Sequence, residues 1–120
     1  MTWTPQHSQN AMIAVGGGVG AAAMVAPALL QRVFGIPAEE ITGPGLMGWR
    51  LFAARNLYLT ARAAQGDSTA IAAFGHLQAL DQVVFWHAFS TRSVPRSTAV
   101  LAAATSLAIV ALDVHRRTSR

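Results

Sequence analysis

Four apolar segments separated by three turn signals constrain this chain most strongly, because each segment has the length of a membrane span. They cover about residues 9–33, 44–65, 68–90 and 95–115. A transmembrane helix needs about 20 mainly apolar residues, in a range of roughly 17–25. Short connections favour antiparallel neighbouring helices. The sequence therefore predicts one all-α domain over residues 1–120, a four-helix transmembrane bundle with up-down-up-down topology.

The composition also favours helices in lipid. Only 12% of the residues are charged, whereas 52% are hydrophobic. A typical soluble domain carries about 25% charged residues, and a chain this short has a large surface relative to its core. Ala, Gly and Leu dominate the apolar residues, and β-branched residues are scattered, which favours helix over strand.

The turn signals consist of residues that end or begin helices. Gly35-Ile36-Pro37 ends the first segment, Gly66-Asp67-Ser68 separates the second from the third, and Ser93-Val94-Pro95 opens the fourth. Glycine supplies left-handed C-caps and proline cannot continue a helix, while Asp and Ser are good N-caps. Pro27 lies inside the first segment and is expected to kink its last turns.

The basic residues indicate membrane topology and no nucleic-acid partner. The net charge is +4, and all nine basic residues are arginines at the ends of apolar segments or singly inside them. Nucleic-acid binding favours a clustered basic patch. An even number of helices puts both termini on one side, with four arginines against three on the other: Arg62, Arg116, Arg117 and Arg120 against Arg32, Arg92 and Arg96. The positive-inside rule then predicts a multi-pass cell-membrane protein with cytoplasmic termini.

The sequence contains no motif for binding a cofactor or a metal ion. There is no cysteine, and no two of the four histidines form a metal-binding pair at helical spacing. The glycines at 16–18 and 20 follow no predicted strand, so they are not a nucleotide fingerprint. Gly16 and Gly20 instead form a small-xxx-small pair. This pair predicts close helix packing, either inside the bundle or in a homo-oligomer.

Two charged residues stand near the centres of predicted spans, Arg55 in the second and Asp81 in the third. Each costs about 2.5–3.5 kcal/mol at bilayer depth on the insertion scale, so both should face inward. Gln78, Asp81 and Gln82 share one helical stripe. Antiparallel packing brings Arg55 and Asp81 to the same depth, and we expect a charge-assisted ion pair between them.

The buried pair has an architectural and a functional interpretation. A buried ion pair can fix helix register without any chemical role. In the functional interpretation the pair lines a polar pocket, because ionisable residues inside a membrane mark functional sites. The candidate catalytic residues are then Asp81, Arg55 and His76. The candidate binding residues are Arg50, Asn56, Gln78, Gln82, Trp86 and His87.

The order of these motifs resembles a known family. The first helix ends near Phe34-Gly35-Ile36-Pro37, a helix with Arg50, Arg55, Asn56 and Leu57 follows, and the next helix carries a central Asp81. This pattern resembles the small four-helix membrane proteins grouped as DoxX-like. The resemblance implies the four-helix fold and a buried cluster of Arg50, Arg55 and Asp81. Some relatives accompany oxidoreductase or biosynthetic operons, which leaves catalyst and accessory protein both open.

Two functions follow from these observations. The first is a membrane-embedded protein that binds or converts a small lipophilic molecule by cofactor-free acid/base chemistry, of the isomerase, cyclase or epoxide-opening type. Asp81 would be the acid/base, and Arg55, Arg50 or His76 would stabilise developing negative charge. The alternative is a non-catalytic membrane subunit or scaffold that packs through Gly16 and Gly20. Transport and a soluble helical bundle are less favoured hypotheses.

Overall fold

The computed structural model describes residues 2–118, and the fold is all-α, which confirms the predicted class. A one-turn 3₁₀ helix, Ala38–Glu40, accompanies five α-helices. The α-helices are α1 (Pro5–Val25), α2 (Pro27–Val33), α3 (Gly43–Ala64), α4 (Ser68–Thr91) and α5 (Arg96–Thr118).

The first predicted helix is in fact two helices. Ala26 leaves the helical conformation (φ −139°, ψ 63°), and α2 is bent by 119° from α1. Proline lacks the N–H that would continue the helix, and it disfavours helical geometry at the residue before it. The predicted segment of 9–33 is therefore wrong at its start and in the middle, because Pro5 already begins α1 and Pro27 separates two helices, whereas its predicted end at Val33 is confirmed.

The other three helices agree with the predicted segments to within a few residues, because the turn residues cap them as expected. Thr42 Oγ1 accepts a hydrogen bond from the Gly45 N–H at the start of α3. Asp67 Oδ1 accepts from the N–H groups of Thr69 and Ala70 at the start of α4. Gly66, with φ +93°, makes the turn between them.

Helices α4 and α5 pack in opposite directions. Gln82 Nε2 donates to the Ala103 carbonyl over 3.0 Å, and four residues earlier on α4 the Gln78 carbonyl accepts from Ser106 Oγ over 3.0 Å. Along this contact the residue numbers therefore rise on α4 while they fall on α5, so the two helices are antiparallel. The four long helices form a ring, since α1 also packs on α3 and α5, and α3 on α4.

Gly16 and Gly20 lie inside this ring. A Cβ at Gly16 would overlap the ring of Phe74, and a Cβ at Gly20 would lie 3.1 Å from Leu57 Cγ. Small residues here let α1 approach α3 closely and leave room for the Phe74 side chain of α4. A second copy of the chain could use these two glycines only by displacing Leu57 and Phe74.

The core occupies the half of the bundle near the chain termini. Phe74 and Met12 are its largest fully buried side chains. They pack with other buried residues of α3, α4 and α5: Ala63, Ala70, Ile71 and Ile109. The other half of the bundle, on the side of α2, contains the cavity described below.

Among the described residues, one helix alone is long and apolar enough to cross a membrane, namely α5. Helices α1 and α2 meet the same criterion only together, across their 119° bend. This is fewer than the four spans predicted from the sequence. The difference arises because α3 carries three arginines and α4 carries two glutamines, two histidines and an aspartate.

Candidate functional site

A cavity of about 310 Å³ lies between the helices in the half of the molecule remote from the termini. Residues of all four long helices line it, together with Phe34 and Ile36, which follow α2. The lining is predominantly apolar and aromatic, including Val19, Trp49, Phe52, Val84 and Phe85. A volume of this size falls in the range of small-molecule sites, about 300–1,000 Å³.

Small side chains leave this space open. Gly16, Gly48, Ala88, Ala99 and Ala102 all line the cavity. Protein interiors are normally packed with few voids larger than a water molecule. Phe34 and Trp49 also line this space, and their rings meet edge-on with centroids 5.8 Å apart. The cavity therefore exists because all four long helices contribute small side chains to its wall.

Two buried side chains in the cavity wall, Gln78 and Thr98, each carry one polar atom without a hydrogen-bond partner among residues 2–118. Gln78 is 2% exposed and Thr98 is 3% exposed. Gln78 Oε1 accepts a hydrogen bond from Ser106 Oγ over 2.8 Å. Among residues 2–118, neither Gln78 Nε2 nor Thr98 Oγ1 has a partner. An unsatisfied buried group costs about 1–3 kcal/mol, so a hydrogen bond from a ligand or a bound water in the cavity would stabilise each of these two atoms.

The predicted ion pair between Arg55 and Asp81 is confirmed. Arg55 Nη2 donates to Asp81 Oδ2 over 2.7 Å, and Arg55 Nη1 donates to Asp81 Oδ1 over 3.4 Å. The side chains are 33% and 15% exposed. Arg55 also donates to Asn56 Oδ1 from Nε and Nη2, over 3.3 and 3.2 Å.

The pair lies beside the cavity and does not line it. Asn56 belongs to the cavity wall, whereas Arg55 and Asp81 do not. Asn56 thus connects the ion pair to the wall through its amide oxygen. No ionisable side chain is among the cavity-lining residues that the structure describes.

Several predicted site residues lie on the outer surface. His76, His87, Arg50 and Trp86 are exposed, and none lines the cavity. Their predicted places in a buried pocket are therefore wrong. The inward face of α4 carries Gln78, and the helical period turns the histidines away from it.

Gln82 has a structural position. Its Nε2 donates to the Ala103 carbonyl, and its Oε1 accepts from Trp86 Nε1, both over 3.0 Å. Each end of its amide has a partner, so the side chain links α4 to α5 and braces Trp86. Of the nine residues predicted for the site, Asn56 and Gln78 line the cavity.

Sequence reasoning missed the contribution of α5. Thr98, Ala102, Thr105 and Ser106 all line the cavity. They recur at spacings of three, four or eight residues, which places them on one face of a helix. That stripe of hydroxyl and small residues within an apolar helix is the signal that would have identified this wall.

A second polar cluster lies at the opposite end, near the termini. Asp113 is buried and accepts hydrogen bonds from Arg116 Nη2 over 2.8 Å and from Arg117 Nε over 3.0 Å. Nearby, the hydroxyl of Ser8 lies 2.6 Å from His115 Nδ1. The Ser8–His115 contact ties the C-terminal end of α5 to α1, whereas the Asp113 ion pairs lie within α5. None of these residues borders the cavity.

No protein-family model matches the sequence, and neither curated proteins nor solved structures gave a match to it. The resemblance to DoxX-like proteins therefore stays a prediction. Within residues 2–118, no group of three or more His, Asp or Glu side chains is placed to hold a metal ion. The geometry of the cavity is therefore the basis of the functional proposal.

Proposed function

We propose that this chain is a multi-pass integral membrane protein that binds a small lipophilic molecule in the cavity between its helices. The observation that carries the proposal is an apolar cavity with two unpaired polar groups, Gln78 Nε2 and Thr98 Oγ1. Sites for small molecules are predominantly apolar, with a few placed polar groups that orient the ligand.

The outer surface supports a lipid environment. Large apolar side chains are exposed along α3, α4 and α5: Leu51, Tyr58, Leu80, Val83, Leu101 and Leu107. Large exposed apolar surfaces mark membrane or protein contacts. Much of the buried core is alanine, which matches helices that pack by close approach within lipid.

Helix lengths agree with a four-span arrangement. The four long helices have 21 to 24 residues, which corresponds to about 32–36 Å at 1.5 Å per residue. The hydrocarbon core is about 30 Å thick. In this proposal α1, α3, α4 and α5 cross the membrane up-down-up-down, α2 lies at the far interface, and the termini are cytoplasmic.

The geometry favours binding over acid/base catalysis. Asp81 is engaged by two hydrogen bonds from Arg55, and it lies outside the cavity wall. A general base needs to lie within hydrogen-bond reach of the proton that it removes, directly or through one water. The isomerase, cyclase and epoxide-opening hypotheses each need Asp81 as the acid or base at the ligand. In this proposal Asp81 does not reach the ligand, and the protein holds its ligand without converting it.

Membrane integration is tested by washing isolated membranes with alkaline carbonate. The proposal expects the protein to stay in the pellet and to need detergent for release. Release of folded protein by carbonate alone would contradict membrane integration, since a soluble bundle or peripheral protein behaves in that way.

Ligand binding is tested with n-decane in deuterated detergent micelles, by nuclear Overhauser effects between the probe and the methyl groups of Ala99 and Ala102. Ala102→Phe should abolish them at Ala99, because the ring fills the cavity. Ala104→Phe is the matched control, since Ala104 lies on the same helix but is exposed. Equal effects of the two variants would contradict binding in this cavity.

A further inference from the structure

We infer that the ligand is an uncharged, elongated molecule with two oxygen atoms about 12 Å apart, one accepting a hydrogen bond from Gln78 and the other paired with Thr98. The inference rests on the proposed function and specifies the ligand class. It starts from the two buried polar atoms of the cavity that have no partner among residues 2–118, Gln78 Nε2 and Thr98 Oγ1.

The ligand is uncharged because the cavity offers no compensating charge. The described lining contains amides, hydroxyls and apolar groups, and no Asp, Glu, His, Lys or Arg. Moving an isolated ionised group into such surroundings costs far more than burying a neutral polar group that finds one hydrogen bond. Two arginines of α3 flank lining residues and are engaged elsewhere: Arg55 pairs with Asp81, and Arg50 Nε donates to the Met24 carbonyl over 3.4 Å.

One end of the ligand accepts a hydrogen bond. The single hydroxyl proton of Ser106 is shared between the Gln78 carbonyl and Gln78 Oε1, which lie 3.0 and 2.8 Å from Ser106 Oγ, and this contact holds the side-chain amide by its oxygen. The Nε2 group remains, and it can only donate. A carbonyl, ether or hydroxyl oxygen satisfies it. The Thr98 hydroxyl both donates and accepts, so the second ligand oxygen belongs to a hydroxyl or a carbonyl group.

The spacing of these two groups sets the length of the ligand. The hydrogen bond to Ser106 places the Gln78 amide at the level of Ser106 on α5. Thr98 precedes Ser106 by eight residues on the same helix, so the two levels are about 12 Å apart at 1.5 Å per residue. Ala99 and Ala102 line the wall between them. The middle of the ligand is therefore apolar.

The test uses two probes of equal size, the eight-carbon α,ω-diol and n-decane. Octan-1-ol serves as the probe with a single oxygen. Affinities are measured in micelles from probe titrations followed by methyl resonances of the cavity. In the wild-type protein the diol should also shift the side-chain amide resonances of Gln78, and n-decane should leave them unchanged.

Two conservative variants remove the proposed contacts. Gln78→Met and Thr98→Val keep the side-chain volume but remove the hydrogen-bonding group. Each should weaken diol binding about threefold to tenfold, the equivalent of one net hydrogen bond. The ratio of diol affinity to n-decane affinity should fall, because n-decane makes neither hydrogen bond, and circular dichroism reports that each variant is folded. Thr98→Val should not affect octan-1-ol when that probe is held at Gln78.

Three results overturn the inference. Equal losses for the diol and n-decane would show that the variants disturb the cavity and not a specific contact. Equal affinities of octan-1-ol and the diol would show that a second oxygen does not contribute to binding, which contradicts a ligand held at both ends. Both of these results leave the proposed function intact, whereas binding of none of the three probes contradicts the proposed function as well.

Discussion

The Asp113 carboxylate of α5 lies directly against the backbone of Gly75 on α4, in the space that a side chain at residue 75 would occupy. A Cβ built at Gly75 would overlap the Asp113 carboxyl group. Both residues are buried, and Arg116 and Arg117 hold the carboxylate in place from its own helix. The glycine is therefore required by the approach of a charged side chain from the neighbouring helix.

Gly75→Ala should destabilise the protein by about 1–3 kcal/mol, the usual cost of overpacking. Gly18→Ala is the matched control, because a Cβ at Gly18 meets nothing within 4 Å. It should be neutral or stabilise by about 0.5–1 kcal/mol, since alanine is the better helix former. Denaturant unfolding in detergent measures both. A Gly75→Ala variant as stable as Gly18→Ala would contradict the close contact with Asp113.

Breaking the Arg55–Asp81 pair should lower stability and leave ligand binding intact. Asp81→Asn and Arg55→Gln each remove charge-assisted hydrogen bonds worth about 1.5–3 kcal/mol. A double-mutant cycle isolates the interaction energy of the pair. If Asp81→Asn retained full stability but lost ligand binding or turnover, the catalytic hypothesis for Asp81 would be favoured over the architectural one.

Asp67 should make the α3–α4 turn sensitive to acid. The hydrogen bond from the Ala70 N–H, with further contributions from Arg62 and Thr69, lowers the pKa of Asp67 below its ordinary value of 3.8. A lowered pKa means that the ionised cap stabilises the fold above pH 3.8 and that this stability is lost as the pH falls through the folded-state pKa.

The measurement compares Tm for the wild type and Asp67→Asn across acidic pH. Asparagine keeps the capping oxygen without the charge. The wild type should be the more stable of the two above pH 3.8, and the difference should shrink at lower pH. A constant difference across this range would show that the charge of Asp67 does not contribute. Other carboxylates titrate in both proteins and cancel in the comparison.

Membrane topology can be read with single cysteines, because the natural chain has none. Glu39→Cys marks the end beyond α2, and Thr118→Cys marks the last turn of α5; both positions are exposed. With cytoplasmic termini, an impermeant maleimide should label Glu39→Cys in intact cells and Thr118→Cys only after the cells are opened. Labelling of Thr118→Cys in intact cells would reverse the orientation. Labelling of both would contradict a closed set of four spans.

The sequence predicted three of the helices well because their ends depend on local chemistry. Pro44, Asp67 and Pro95 act within one turn, so their effect can be read without a partner helix. The first segment failed at Pro27. Prolines in membrane helices are often tolerated as kinks, and periodicity gives no indication of a bend as large as 119°.

The candidate site was predicted less completely, since it depends on how each helix is rotated. Asn56 and Gln78 were found because amides are conspicuous inside apolar segments. Thr98 was missed because a helical threonine commonly bonds to its own backbone. Antiparallel packing places two charged residues near the helix centres at the same level, and this correctly paired Arg55 with Asp81. It could not show that the pair lies outside the cavity wall, because that depends on tertiary packing.

Mass spectrometry of solvent extracts from detergent-purified protein tests the central claim most directly, with wild type, Ala102→Phe and Ala104→Phe compared at equal helicity. The account predicts one uncharged lipophilic compound at near-equal molar amount in the wild type and in Ala104→Phe, and its loss from Ala102→Phe. A compound that is retained when the cavity is filled, or extracts that contain none above the detergent and lipid background in all three proteins, would contradict a lipophilic ligand bound in this cavity.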